Sequence, residues 1–169
     1  MKTVCIDAYT FDELSESAQR KAVVWFLSDY PDHGWWECVY EDARNVDIKI
    51  THFDCGRSWD IGVYVPDVDS TIELILKNHG ESCDTYKTAA EYAESLKRAS
   101  LEWSDTDEPF DESDEYEEIT NDFIQQIGQC YLIMLRDELE YMTSEEHARE
   151  MIEENEYLFT ENGNRSAIL

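Results

Sequence analysis

Residues 48–65 read IKITHFDCGRSWDIGVYV, and this stretch decides the fold class. Apolar and polar side chains alternate along 48–53 and again along 58–65, which is the period of a strand with one buried face. The tripeptide Cys-Gly-Arg at 55–57 separates the two runs, and its glycine supplies the backbone freedom that a turn needs. The stretch therefore predicts an antiparallel β-hairpin.

Helical patterns lie on both sides of this hairpin. Ser15 is suited to cap the first helix, and Pro31 ends it because the residue before a proline is steered out of the helical region. The sequence TSEE at 143–146 matches a capping box and opens the last helix. Apolar residues at helical spacing predict helices over 15–30, 32–47, 67–80, 85–103, about 117–142, and 145–155.

Two shorter runs, 3–9 and 157–160, have the character of additional strands. The predicted fold class is therefore α+β, with a small antiparallel sheet of three to four strands packed with several helices. A long, acidic, helical region forms its C-terminal part. Because 169 residues suffice for one core, we expect a single α+β domain over 1–169, with 104–116 as a candidate flexible acidic insertion.

The charge of the chain restricts the class of its partners. The formal net charge is −27, from 13 basic and 40 acidic residues. Residues 1–98 hold 19 acids and 10 bases, whereas residues 99–169 hold 21 acids and 3 bases. Such a surface repels phosphate backbones and anionic lipids, so we expect neither nucleic acid nor a membrane as a direct partner. It attracts cationic partners instead.

Residues 102–120, EWSDTDEPFDESDEYEEIT, concentrate this charge, since ten of the nineteen are Asp or Glu. One interpretation is a solvated linker, because Pro109 interrupts any helix here. The other is a phosphate-like surface. Carboxylates at i and i+4 of a helix lie about 5–6 Å apart at Cβ, so acidic helices can copy the charge spacing of nucleic acid. Acids recur on later helices, which favours this mimicry over a linker.

The candidate partner-binding residues follow from that hypothesis. Trp35 and Trp103 fall on the less apolar sides of their segments, and exposed tryptophan commonly anchors an interface. These two are equally suited to a homodimer contact, whereas Trp25, Trp36 and Trp59 are expected in the core. The acidic candidates are Asp105, Asp107, Glu108, Asp111, Glu112, Asp114, Glu115, Glu117, Glu118, Glu138, Glu145, Glu146, Glu150, Glu153 and Glu154.

Metal sites and catalytic motifs are weakly represented. The run from Asp105 resembles the start of an EF-hand calcium loop, but Phe110 replaces its glycine and Tyr116 its final glutamate. The chain lacks G-x-S-x-G, a Gly-rich phosphate loop and H-E-x-x-H. We therefore expect a non-enzyme with no catalytic residue, no metal site and no cofactor. The nearest zinc candidates, which lack paired-ligand spacing, are His52 with Cys55 and His79 with Cys83.

The five cysteines are widely spaced and include no C-x-x-C pair. The opening MKTVCIDAYTF lacks the apolar core of a signal peptide, and no apolar run approaches the ~20 residues that span a membrane. We expect a cytoplasmic protein with reduced, partly buried thiols.

The stretch 9–22, YTFDELSESAQRKA, resembles the opening of a family of small acidic proteins encoded by bacteriophages and prophages. The resemblance continues through 34–54, 75–95 and 131–163. The family is largely uncharacterised, is sometimes labelled antitoxin-like, and supplies no catalytic residue. The resemblance implies a phage or mobile-element setting, in which small acidic proteins often inhibit host defence nucleases. The inhibitory role is therefore inferred by analogy with other proteins of that setting.

The favoured hypothesis is a phage-encoded, non-enzymatic anti-defence inhibitor of the anti-CRISPR or anti-restriction type. Its acidic, DNA-mimic-like surfaces would bind a host defence protein with a basic nucleic-acid-binding surface, in the cytoplasm of the infected or lysogenic bacterium. One alternative is an antitoxin-like module that neutralises a basic toxin. Others are a metal-binding or enzymatic phage accessory protein, and a phage protein whose charge serves only solubility.

Overall fold

The computed structural model describes residues 7–28, 34–103 and 109–166. Its fold is α+β, as the sequence predicts, with a small two-stranded antiparallel sheet among the helices. Short 3-10 turns occur at Phe11–Glu13 and Phe110–Glu112. The regular elements in chain order are α1 (Glu16–Ser28), α2 (Glu37–Asn45), β1 (Lys49–Asp54), β2 (Asp60–Tyr64), α3 (Val68–Asn78), α4 (Asp84–Trp103), α5 (Asp114–Met142) and α6 (Glu145–Glu154).

Strands β1 and β2 confirm the predicted hairpin. Its ladder runs from the pair Lys49 and Tyr64 to the pair Asp54 and Asp60 at the turn. The predicted count of three to four strands is not confirmed. Of the first expected strand, 3–9, residues 3–6 lie outside the described part of the chain. The described residues near the two ends form the isolated bridges Tyr9–Phe159 and Phe159–Arg165.

The turn of the hairpin is organised by one carboxylate. Asp54 Oδ1 accepts hydrogen bonds from the backbone N–H of Gly56 at 2.7 Å and of Arg57 at 3.0 Å. The hydroxyl of Ser58 donates to Oδ2 at 2.8 Å. These donors stabilise the charged form and lower the pKa of Asp54 to about 2.

Contacts between Cα atoms divide the chain into two compact units, one made of 1–35 and 137–169 and the other of 36–136. One boundary lies between 35 and 36, and the other, between 136 and 137, falls within the sequence of α5. The single domain predicted for 1–169 stays a prediction.

In the unit 36–136, the hairpin and helices share a core that α5 lines with a helical stripe. Gly128 lies on this stripe, and a Cβ there would come within 3.4 Å of Val63 and 3.5 Å of Ile61. The small residue lets β2 approach the helix closely, while α3 packs against α4. The fully buried residues of α5 include Phe123, Ile127, Tyr131 and Leu135.

In the unit 1–35 with 137–169, α1 packs against α6. Gly163 adopts a positive φ of 75°, and a Cβ on it would lie 2.2 Å from the carbonyl oxygen of Ala18. The backbone after α6 therefore approaches α1 more closely than any other residue would allow. The buried core of this unit is Phe11, Leu14, Ala18, Ala22, Val23, Phe26, Ala148, Ile152 and Phe159.

Helix α5 begins at Asp114, earlier than the predicted start near 117. Ser113 explains the difference, since its hydroxyl accepts a hydrogen bond from the backbone N–H of Tyr116 at 3.1 Å. Of the candidate flexible insertion at 104–116, residues 104–108 lie outside the described part. The described remainder forms a 3-10 turn and the first residues of α5.

The start of α6 corrects the predicted capping box at 143–146. Ser144 is the N-cap, and its hydroxyl accepts from the N–H of His147 at 3.1 Å. The hydroxyl of Thr143 instead donates to the carbonyl of Leu139 at 2.7 Å, so Thr143 belongs to the end of α5.

None of the helices in the described ranges combines the length and the apolar character that crossing a membrane requires.

Candidate acidic interaction surfaces

The predicted acidic residues lie on helices and mostly face solvent. Asp111 and Glu112 belong to a 3-10 turn, and four others occupy the first turns of α5 in the unit 36–136. The remaining acids lie on the last turns of α5 and on α6 in the other unit. All the described candidates are exposed except the half-buried Glu138. Asp105, Asp107 and Glu108 lie outside the described residues.

A groove between α4 and α5 brings the first acidic group together. It has a volume of about 550 Å³. Its charged lining is strongly acidic, since the described lining residues supply five carboxylates and one guanidinium, that of Arg98. Those carboxylates belong to Glu91, Glu102, Glu115, Glu118 and Asp122.

Glu115 and Glu118 of this groove are among the predicted contact residues, and Glu102 begins the acidic stretch 102–120 to which they belong. Asp122 follows Glu118 at i+4, so the helical spacing of α5 would have found it. Glu91 and Glu102 lie eleven positions apart on α4, about three helical turns, and therefore share a face. Their position next to α5 depends on how the two helices pack, and the local sequence pattern does not predict that packing.

Tyrosine hydroxyls orient several carboxylates of the unit 36–136. Tyr92 on α4 donates a hydrogen bond to Asp122 on α5 across the groove. Burial, followed by the hydrogen bond and charge of Asp122, raises the pKa of the Tyr92 phenol well above its ordinary value of 10. The phenol is therefore a neutral donor, which fixes the carboxylate without cancelling its charge.

Tyr116 plays the same part at the start of α5. Its hydroxyl donates to Oδ2 of Asp69 on α3 at 3.1 Å. Burial raises the pKa of Tyr116 to about 12, and the charges of Asp69, Asp67 and Asp111 act in the same direction. A predicted contact residue, Asp111, thus belongs to a cluster of acids around one phenol.

The second acidic group contains a similar arrangement. The exposed Tyr141 on α5 donates to Oε2 of Glu150 on α6 at 3.1 Å. This bond and the charge of Glu150 raise the pKa of Tyr141, and the charges of Glu146 and Glu138 add to the effect. The structure therefore brings three predicted residues around one hydroxyl.

The other predicted acids of this unit have different surroundings. Glu145 accepts from Nη2 of Arg149 at 2.7 Å, so its charge is partly compensated. Glu153 lines a second groove, of about 440 Å³, together with Asp12 and Glu156. Glu154 is exposed on α6.

Residues 99–169, the more acidic half of the chain, contain three arginines, and all three lie over aromatic rings. Each guanidinium is within the distance at which a ring face attracts a cation, about 6 Å from the centroid. The contacts place Arg136 5.9 Å from Trp59, Arg149 5.4 Å from Phe11, and Arg165 5.1 Å from Trp25 and 4.5 Å from Tyr157. The guanidinium groups of these arginines therefore contact aromatic faces, and Arg149 also pairs with Glu145.

The tryptophan predictions are corrected by the structure. Trp35 and Trp103 are half-buried, and Trp103 lies 6.3 Å from the ring of Phe110. Trp59, expected in the core, is 50% exposed. The backbone of Trp59 has a φ of 50°, so the residue leaves the alternation that its neighbours Ile61 and Val63 follow.

The histidines proposed as zinc candidates face other partners. His52 Nε2 lies 3.1 Å from Asp60 Oδ2. His79 Nδ1 lies 2.7 Å from Thr85 Oγ1, and its Nε2 lies 3.7 Å from Asp42 Oδ1. Across the described ranges, no three His, Cys, Asp or Glu side chains are grouped as a metal ion would require.

Asp42 also accepts a hydrogen bond from the hydroxyl of the buried Tyr131 at 3.1 Å. The resulting chain of polar contacts joins α2, the end of α3, α4 and α5. Because Thr85 and Tyr131 are buried, we interpret this chain as a structural network in the core of the unit.

Comparison of the chain with protein-family models, with curated proteins and with solved structures gives no match. The two acidic surfaces are the features of the chain that bear on its function.

Proposed function

We propose that this chain is a phage-encoded, non-enzymatic inhibitor of a host defence protein of the CRISPR or restriction type. It binds the basic nucleic-acid-binding surface of that protein through its acidic helices. The predicted candidates Trp35 and Trp103 are not assigned to this contact, because both are half-buried. The contact surfaces are the groove between α4 and α5 and the acidic face of α6 with Tyr141.

One observation carries the proposal, namely that surface carboxylates are held in place by neutral phenols. A nucleic-acid site recognises negative charges at fixed positions, and a protein competitor must present such charges without neutralising them. Salt bridges to Lys or Arg would orient the carboxylates but cancel the field. The bonds from Tyr92, Tyr116 and Tyr141 orient carboxylates and leave their charge intact.

The first experiment is a pull-down from bacterial lysate with the tagged full chain, washed at low and then at high salt. Binding through phosphate-like contacts weakens steeply with salt, by about tenfold or more between ~50 and ~200 mM. A retained nuclease or CRISPR component that salt releases supports the proposal. A single partner that resists salt contradicts mimicry and favours the antitoxin-like alternative.

The second experiment asks whether the partner's nucleic-acid site is the one occupied. A labelled DNA duplex bound to the captured protein should be displaced by the chain, whereas a stable ternary complex would contradict the proposal. The variant Glu102→Gln/Glu115→Gln/Glu118→Gln removes three groove charges and should lose displacement. The control Glu41→Gln/Glu73→Gln/Glu81→Gln removes three exposed charges elsewhere in the same unit and should retain most of it.

A further inference from the structure

An aromatic corner in the unit 1–35 with 137–169 holds a guanidinium group. The rings of Trp25 on α1 and Tyr157 after α6 stand nearly perpendicular, at 82°, with centroids 5.7 Å apart. The guanidinium carbon of Arg165 lies 5.1 Å from the first ring and 4.5 Å from the second. One cation therefore contacts two ring faces at once.

The corner is built on the packed core and is therefore preorganised. Trp25 also makes edge contacts with Phe26 at 6.4 Å and with Phe159 at 5.9 Å, and both of these residues are buried. Tyr157 is fixed through its backbone N–H, which donates to the carbonyl of Ile152 at 3.1 Å. From this packing we expect the two rings to keep their relative position when the cation is removed.

The surroundings of the corner suit an arginine from another molecule. Tyr157 also lines the 440 Å³ groove that contains the carboxylates of Asp12, Glu153 and Glu156. Guanidinium is planar and weakly hydrated, so it stacks on aromatic faces and pairs with carboxylates, whereas ammonium is more strongly hydrated. Ring faces and acids next to each other thus favour arginine over lysine.

We propose that Trp25 and Tyr157 form an arginine-binding site, which Arg165 of the same chain occupies and which an arginine side chain of a basic peptide takes over. Arg165 is exposed, and a cation–π contact at an exposed site is weak. An incoming arginine that also reaches the acids of the groove therefore displaces it. This site goes beyond the proposed function, since it needs no defence protein.

The test measures binding of labelled hexa-arginine and hexa-lysine peptides to the full chain by fluorescence anisotropy. Arg165→Ala should bind hexa-arginine about two- to fivefold more tightly than the wild type, because the internal competitor is gone. The matched control is Arg20→Ala, which removes one positive charge from the same unit. Arg20 is exposed and lies 3.8 Å from Glu16 on α1.

The site is supported if the gain in Arg165→Ala exceeds that in Arg20→Ala and is larger for hexa-arginine than for hexa-lysine. Equal gains in the two variants, or for the two peptides, would overturn it, because net charge alone would explain them. Adding Tyr157→Leu to Arg165→Ala should abolish the gain. If that double variant does not fold, Arg165→Lys, which keeps the charge, replaces it and should also show a preferential gain for hexa-arginine.

Discussion

The phenolic oxygen of Tyr116 lies 3.1 Å from Oδ2 of Asp69 and donates a hydrogen bond to it. The two residues are 47 positions apart, so the bond ties the first turn of α5 to the first turn of α3. It also joins the acidic stretch, which the sequence leaves open to interpretation as a linker, to a packed helix. The described part of this stretch is a structured surface.

Replacing Tyr116 with Phe removes this bond and should lower the free energy of unfolding by about 1 kcal/mol at neutral pH. The pKa of the tyrosine is raised to about 12, so its stabilising effect is present in full below pH 10, the ordinary value, and is lost as the pH rises towards 12. Urea unfolding of both proteins at pH 8 and 11 measures this. A difference that stays constant or grows with pH would contradict the assignment.

Asp54 should make the hairpin sensitive to acid. The pKa of Asp54 is lowered to about 2 from an ordinary value of 3.8. The charged carboxylate therefore stabilises the fold in full at pH values above 3.8. This contribution is lost as the pH falls through about 2. Asp54→Asn keeps one carbonyl oxygen for the N–H groups of Gly56 and Arg57 but cannot accept from Ser58 through its amide nitrogen.

The variant should therefore be less stable than the wild type at pH 7, and the gap should narrow as the pH falls from 4 to 2. Thermal unfolding followed by circular dichroism across this pH range provides the measurement. Asp60→Asn, at the position that pairs with Asp54 at the turn end of the hairpin, is the control for the loss of one charge. An equal pH dependence in that control would show that the turn of Asp54 has no special part.

Local periodicity was sufficient to predict the hairpin and the approximate extent of the helices. It failed where one residue departs from the pattern of its neighbours. Trp59 has the same phase as Ile61 and Val63 in the alternating pattern, yet it has a positive φ and is exposed to solvent. Thr143 and Ser144 are both acceptable caps, and only the end of α5 decides between them.

The candidate surfaces were predictable in composition but not in geometry. Runs of acids identified Glu115 and Glu118, because charge is visible in the sequence. The opposite wall of the groove, with Glu91, belongs to the preceding helix, α4. Hydrogen bonds such as that from Tyr92 to Asp122, 30 positions apart, depend on packing between helices, which no local pattern encodes.

Gly163 should tolerate no residue that carries a Cβ. Its φ of 75° disfavours any side chain, and a Cβ would lie 2.2 Å from the carbonyl oxygen of Ala18. Gly163→Ala should therefore cost more than about 2 kcal/mol in the free energy of unfolding. Gly80→Ala is the control, since the nearest atoms to its Cβ would be 4.0 Å away. Similar urea midpoints for the two variants would contradict the close approach of the backbone to α1.

At Trp59, the effect of backbone conformation on stability can be measured separately from the effect of side-chain contacts. Its φ of 50° is unfavourable for residues with a Cβ but costs glycine little. Trp59→Gly and Trp59→Ala both remove the ring that lies 5.9 Å from the guanidinium of Arg136, so that loss cancels between them. The glycine variant should be the more stable of the two by about 1 kcal/mol, although glycine is ordinarily the less favourable residue in a strand region.

The measurement is urea unfolding of both variants, followed by circular dichroism at neutral pH. The matched control is the pair Tyr64→Gly and Tyr64→Ala at the far end of β2, where Tyr64 pairs with Lys49 and is exposed. Tyr64 is not among the positive-φ residues of the described chain, so glycine should be the less stable choice there. If alanine is preferred at both positions, Trp59 does not hold the left-handed backbone, and its exposure at the hairpin needs another cause.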